Sequence, residues 1–154
     1  MDLTKLDKRI SKVPRAAAWL GGLGLLPFVI CASALFLGND DLKSLASFAI
    51  VTYGAIILSF LGGIHWGLAI DAESKTGRNI ASWLILSVSP SLVAWAALLV
   101  PTKIGCLVLA AALVTMLWVD VLATRARKTP PWYPKLRLPL SLAATAAVLV
   151  GSLM

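Results

Sequence analysis

Apolar residues run along this chain in five long stretches, at residues 16–37, 45–70, 80–100, 103–122 and 138–154, and polar residues gather in the gaps between them. A helix rises about 1.5 Å per residue, so about 20 apolar residues cross a hydrocarbon layer of about 30 Å. The pattern predicts a single all-α domain, an integral membrane bundle of five transmembrane helices. The last stretch would reach only about 25 Å at that rise. Its helix is therefore expected to begin within the segment from Pro134 to Arg137, or to sit in thinned lipid. The gaps carry turn signals: Gly38-Asn39-Asp40-Asp41, the polar run from Asp71 to Asn79, Pro101-Thr102 and Thr129-Pro130-Pro131. Pro101-Thr102 is so short that spans three and four must form an antiparallel hairpin.

The basic residues sort by segment. Five precede the first span, one follows it, two follow the second, one follows the third and five follow the fourth, so alternate segments hold twelve against two. Lys and Arg are retained in the cytoplasm, which predicts a cytoplasmic amino terminus and a carboxyl terminus outside, as five crossings require. In residues 1–13, Leu3, Leu6, Ile10 and Val13 recur at helical spacing among Lys5, Lys8, Arg9 and Lys12. They read either as a short interfacial amphipathic helix or as a basic tail that fixes topology. Cleavage as a signal peptide after Ala32-Ser33-Ala34 is not expected, because the first stretch is long enough to span and its loss would spoil the alternation of charge.

Composition changes the picture in one respect. A chain of 154 residues that is 59% hydrophobic and only 14% charged cannot hide its apolar surface in water, so its solvent is lipid. The net charge of +7 then reports topology and not nucleic acid. Cys31 and Cys106 both fall inside apolar runs, and one His is too little for an imidazole metal centre, so no metal or disulfide framework is expected, while any cofactor is left unknown.

Ala55, Ser59, Gly63 and Gly67 recur every fourth residue in span two. Ala17 with Gly21, and Ala18 with Gly22, offer matching small faces in span one, and close packing of the two helices through them is expected. Pro27 and Pro90 predict kinks, with Ser87, Ser89 and Ser91 placed to take up freed carbonyls.

Ionisable groups in lipid are costly, and two lie within the apolar runs: His65 and Asp120. Both fall one to two turns inside the same predicted boundary, so they can pair, His65 exchanging protons and Asp120 orienting it. The simpler expectation keeps His65 neutral on a backbone carbonyl and pairs Asp120 with Arg125, Arg127 or another cation of that side. Trp66, Trp132 and Tyr133 read first as interfacial anchors. With His65, Asp120 and Arg137 they would also converge on one leaflet, and that is the candidate ligand site.

Ser59-Phe60-Leu61-Gly62-Gly63-Ile64-His65-Trp66-Gly67, preceded by Tyr53-Gly54-Ala55, resembles the hallmark of the family called domain of unknown function 3429, the transmembrane protein 69-like polytopic membrane proteins. The likeness extends to Leu23-Gly24-Leu25-Leu26-Pro27-Phe28, Pro90-Ser91-Leu92 with Trp95, Asp120, and Trp132-Tyr133-Pro134-Lys135-Leu136-Arg137, with Ser141 where a threonine is expected. The resemblance implies a small multi-pass protein of bacterial inner membranes, or of the mitochondrial inner membrane in a eukaryote, and it carries over no catalytic residue. The sequence shows no nucleophile beside a base, no phosphate loop and no carboxylate pair. The first expectation is therefore a non-enzymatic accessory or assembly factor, partnered by the lipid bilayer and a larger membrane complex. The second is a site for a quinone, lipid or other amphiphile around His65 and Asp120. Proton or solute transport is the weakest, since the outer halves of the spans lack a polar path.

Overall fold

The computed structural model describes residues 12–76 and 80–153. Residues 1–11, and with them nearly all of the expected interfacial helix, lie outside the described residues. The described chain forms α1 (Arg15–Leu23), α2 (Leu26–Leu37), α3 (Asp40–Thr76), α4 (Ala81–Leu98), α5 (Thr102–Arg125) and α6 (Tyr133–Ser152). Because α1 and α2 follow one another as a single apolar segment, these make five segments long and apolar enough to cross a membrane.

Local chemistry explains where the helices start and stop. The first span is broken at Gly24-Leu25, and Pro27 falls in the first turn of α2, where its missing N–H leaves no intrahelical bond unmade. Asn39 Oδ1 accepts from the Leu42 N–H at 3.0 Å and caps α3, whose first turn carries Asp40 and Asp41. At both ends α3 overruns the expected 45–70. Its polar last turns continue the helix beyond the apolar run, since water as well as lipid tolerates a regular helix. The fifth span starts at Tyr133, which gives α6 20 residues and the full membrane thickness. In α4, Pro90 frees the carbonyl of Leu86, and the Ser89 hydroxyl donates to that carbonyl at 2.9 Å. Ser87 donates to Leu84 O at 2.7 Å.

At the centre of the bundle, α3 packs on α2, α4, α5 and α6. Leu35, Ile50, Leu58, Leu109, Leu113 and Val148 meet there fully buried, while Phe36, Phe48, Phe60, Trp95 and Trp118 face outward as lipid-facing side chains would. The α4–α5 hairpin closes by direct backbone approach, since a Cβ on Gly105 would meet the carbonyl of Ala97.

The expected contact between spans one and two through small residues does not form as predicted. Ala55 is buried in the core and Ser59 half-buried, but Gly63 and Gly67 are exposed, with open space where a Cβ would stand. At about 100° per residue, a stripe of every fourth position winds round the helix by about 40° per step. It therefore starts in the core at Ala55 and reaches the outer surface by Gly63. The tight glycine is Gly62, whose Cβ would meet the Ser87 carbonyl of α4 and the Pro90 ring. Gly21 and the half-buried Ala17 belong to a different contact, for Gly21 lies against Leu136 and Leu140 of α6, and Gly22 faces open space.

Candidate functional site

The turn between α5 and α6 builds the site. Ala126 N–H donates to Leu122 O, Arg127 N–H to Thr124 O and Lys128 N–H to Ala123 O, each at 2.9 Å, with Arg127 in the left-handed region at φ 57°. This Schellman arrangement ends α5 and reverses the chain. The Thr124 hydroxyl, which donates to Asp120 O at 2.9 Å, also lies 2.6 Å from that of Thr129 and ties the turn to the helix it leaves. As a result α6 begins beside Asp120, and Tyr133 and Arg137, one turn apart, both face its carboxylate.

Asp120 gathers three partners. His65 Nε2 donates to Oδ1 at 2.9 Å, Arg137 Nε donates to Oδ2 at 2.7 Å, and the Tyr133 hydroxyl reaches Oδ1 at 3.4 Å. His65 and Asp120 are each 1% exposed, and Arg137 and Tyr133 are buried. One carboxylate faces one guanidinium, so the pair balances its own charge in a medium where an unmatched ion is expensive. Four buried polar atoms have no hydrogen-bond partner among the described residues: His65 Nδ1, Arg137 Nη2, Ser141 Oγ and Thr145 Oγ1.

Three of those four atoms belong to one side of α6, at positions 137, 141 and 145, continuing upward from Tyr133 at four-residue spacing. Arg137, Ser141 and Tyr133 also line a cleft of about 290 Å³ between α1, α2, α3 and α6. Its remaining walls are apolar, among them Leu20, Phe28, Phe60, Leu113 and Leu140. Tyr53 steadies this wall, since its hydroxyl donates to Gly24 O at 2.8 Å in the break between α1 and α2, and its ring meets Phe28 edge-on at 4.8 Å. On the opposite side His65 borders a small cavity of about 30 Å³ with Trp83 and Lys128, whose ammonium lies 3.1 Å from the centre of the Trp83 ring.

Of the residues singled out in the sequence, the structure brings together His65, Asp120, Tyr133 and Arg137. His65 bonds the carboxylate instead of a backbone carbonyl. The cation on Asp120 is Arg137, while Arg125 and Arg127 are exposed. Trp66 is not part of the cluster and lines an outer groove with Leu84, Ile85 and Val88. Trp132 is half-buried and sits edge-on to Tyr133 at 6.1 Å, behind the cluster's outermost ring. Sequence reasoning missed Ser141 and Thr145 as site residues, although the four-residue recurrence of polar positions from Tyr133 to Thr145 was a usable signal.

The family model described as protein of unknown function (DUF3429) matches residues 13–153. Among curated proteins the chain is similar to transmembrane protein 69 of Xenopus tropicalis, 38% identical over 161 aligned residues covering 99% of this chain and 60% of that protein. It is also similar to transmembrane protein 69 of Mus musculus, 33% identical over 92 residues covering 60% of this chain and 37% of that protein. The chain thus spans less than two thirds of the length of these relatives. No solved structure matches it.

Proposed function

The chain belongs to the DUF3429 family, and from that premise of a multi-pass membrane protein we propose that it binds an amphiphile, a quinone or a lipid, in the cleft between α1, α2, α3 and α6. The observation that carries this reading is the cleft itself, about 290 Å³ with apolar walls and one polar side lined by Arg137 and Ser141, each of which carries a buried atom with no partner among the described residues. Ligand sites for apolar molecules have this composition, a greasy enclosure with a few convergent polar groups. His65 and Asp120 orient Arg137 from behind. If the twelve basic residues face the cytoplasm, the polar end of the cleft lies in the inner leaflet of a bacterial or mitochondrial inner membrane.

Purification from native membranes in a mild detergent, followed by mass spectrometry of the organic extract, tests this. A small amphiphile in fixed ratio to the protein is expected, and Ala17→Trp, which fills the cleft from the peripheral helix α1, should lose it while the protein stays folded. Retention of the same molecule by that variant would refute the site. The accessory role expected from sequence is the competing outcome: a partner protein in fixed ratio, with no amphiphile bound, would replace the present reading.

A further inference from the structure

Resting on the binding reading above, we infer that the head group entering the cleft is uncharged and accepts hydrogen bonds, a carbonyl such as a quinone ring or an ester lipid carries. It is held by Arg137 Nη2 and Ser141 Oγ, one helical turn apart on α6.

The argument is one of donors and charge. A guanidinium nitrogen only donates, so whatever meets Nη2 must accept, and the Ser141 hydroxyl can donate alongside it. An isolated buried arginine would favour an anion. Here, however, the positive charge is already matched by Asp120, whose Oδ2 lies 2.7 Å from Arg137 Nε. His65 Nε2 donates to the other carboxylate oxygen, and Tyr133 adds no charge. No other ionisable side chain lines the cleft from α1, α2, α3 or α5. A carboxylate or phosphate would therefore enter as an unmatched negative charge between apolar walls, which a low-dielectric site disfavours strongly. A carbonyl satisfies both donors and leaves the balance intact.

Binding to the full chain in dodecyl maltoside, which contains no ester, is read by native mass spectrometry as ligand is titrated. Methyl oleate and oleate share one chain and differ in head-group charge, so the ester should bind at least about tenfold more tightly. Decylubiquinone and dioleoylglycerol then separate the two carbonyl sources, and the tighter of them names the class. Ser141→Ala should weaken the preferred ligand about fivefold, the effect of one neutral hydrogen bond. Removing a hydroxyl that has no partner among the described residues leaves the fold undisturbed, so this variant reports binding alone. Oleate binding as tightly as its ester would overturn the charge argument yet leave amphiphile binding standing. Unchanged affinity in Ser141→Ala would overturn the role of that hydroxyl. Failure of all four molecules to bind would sink the binding reading and this inference together.

Discussion

Asp120→Asn is the sharpest perturbation of this molecule, because it removes one charge and almost no volume. In the native protein Asp120 Oδ2 accepts from Arg137 Nε at 2.7 Å, and both side chains are buried. The amide oxygen of Asn can still accept from His65 or Tyr133, so what changes is that a guanidinium is left without a counter-charge. Breaking a buried pair from one side costs about 3–5 kcal/mol, and most of that is the price of the orphaned ion. The lower end is expected here, since a chain unfolded in micelles also finds partial partners. Arg137→Gln should cost a similar amount by orphaning the carboxylate. The double variant, with two neutral amides that can bond each other, should recover at least about 2 kcal/mol of the summed loss, the coupling typical of residues in one network. Reversible unfolding of the purified protein by dodecyl sulfate in dodecyl maltoside micelles measures all three. An Asp120→Asn variant within about 0.5 kcal/mol of wild type, the spread of neutral surface changes, would show that the pair carries no such energy. Strict additivity in the double variant would show that the two charges do not act on one another.

Two further expectations follow from backbone geometry. Gly62→Ala should destabilise by about 1–3 kcal/mol because its Cβ collides with a backbone carbonyl of α4, whereas the much larger Gly63→Leu should be tolerated, its side chain entering open space; equal thermal stability of the two variants would refute the assigned register. Arg127→Gly should stabilise by about 1 kcal/mol, because φ 57° costs an L-residue what glycine does not lose. A lowered melting temperature would mean that the Arg127 side chain contributes more than its backbone strain.

How much of this was legible beforehand depends on whether the information was periodic or relational. The five crossings follow from run length alone, and matched depth allowed His65 to pair with Asp120, because helices in a bilayer share one coordinate, the distance to its surface; the simpler expectation still put His65 on a backbone carbonyl. The start of the last helix was legible only as a choice, since 17 residues fall short of the layer and either the segment from Pro134 to Arg137 is recruited or the lipid thins; the helix begins at Tyr133. The facing of helices was harder. Gly62 and Gly63 differ by about 100° around α3, so one backs onto Ser87 while its neighbour looks outward, and no count of small residues separates them. Likewise Trp66 follows His65 directly and is carried by that same rotation onto the exposed side of the helix. The partner of Asp120 was ambiguous for a third reason: Arg125 and Arg127 are closer in sequence, and only the left-handed turn at Arg127 brings Arg137 back onto the carboxylate.

The polar side of α6 favours the proposed ligand over packing alone as the account of the cleft. In water, unpartnered hydroxyls on a helix are unremarkable because solvent satisfies them. In a hydrocarbon layer nothing else does, and serine and threonine there ordinarily bond a carbonyl of the preceding turn, as Ser87, Ser89 and Thr115 do in this chain. Ser141 and Thr145 do not, although both stand in a regular helix where that carbonyl is within reach. Their hydroxyls are buried and uncommitted on the same side of α6 as Arg137 Nη2. A bundle selected only to pack would lose nothing by placing alanine at both positions. Of the two, Ser141 lines the apolar cleft one turn from Arg137, and a free hydroxyl there suits an amphiphile whose polar end descends toward Arg137 and Asp120.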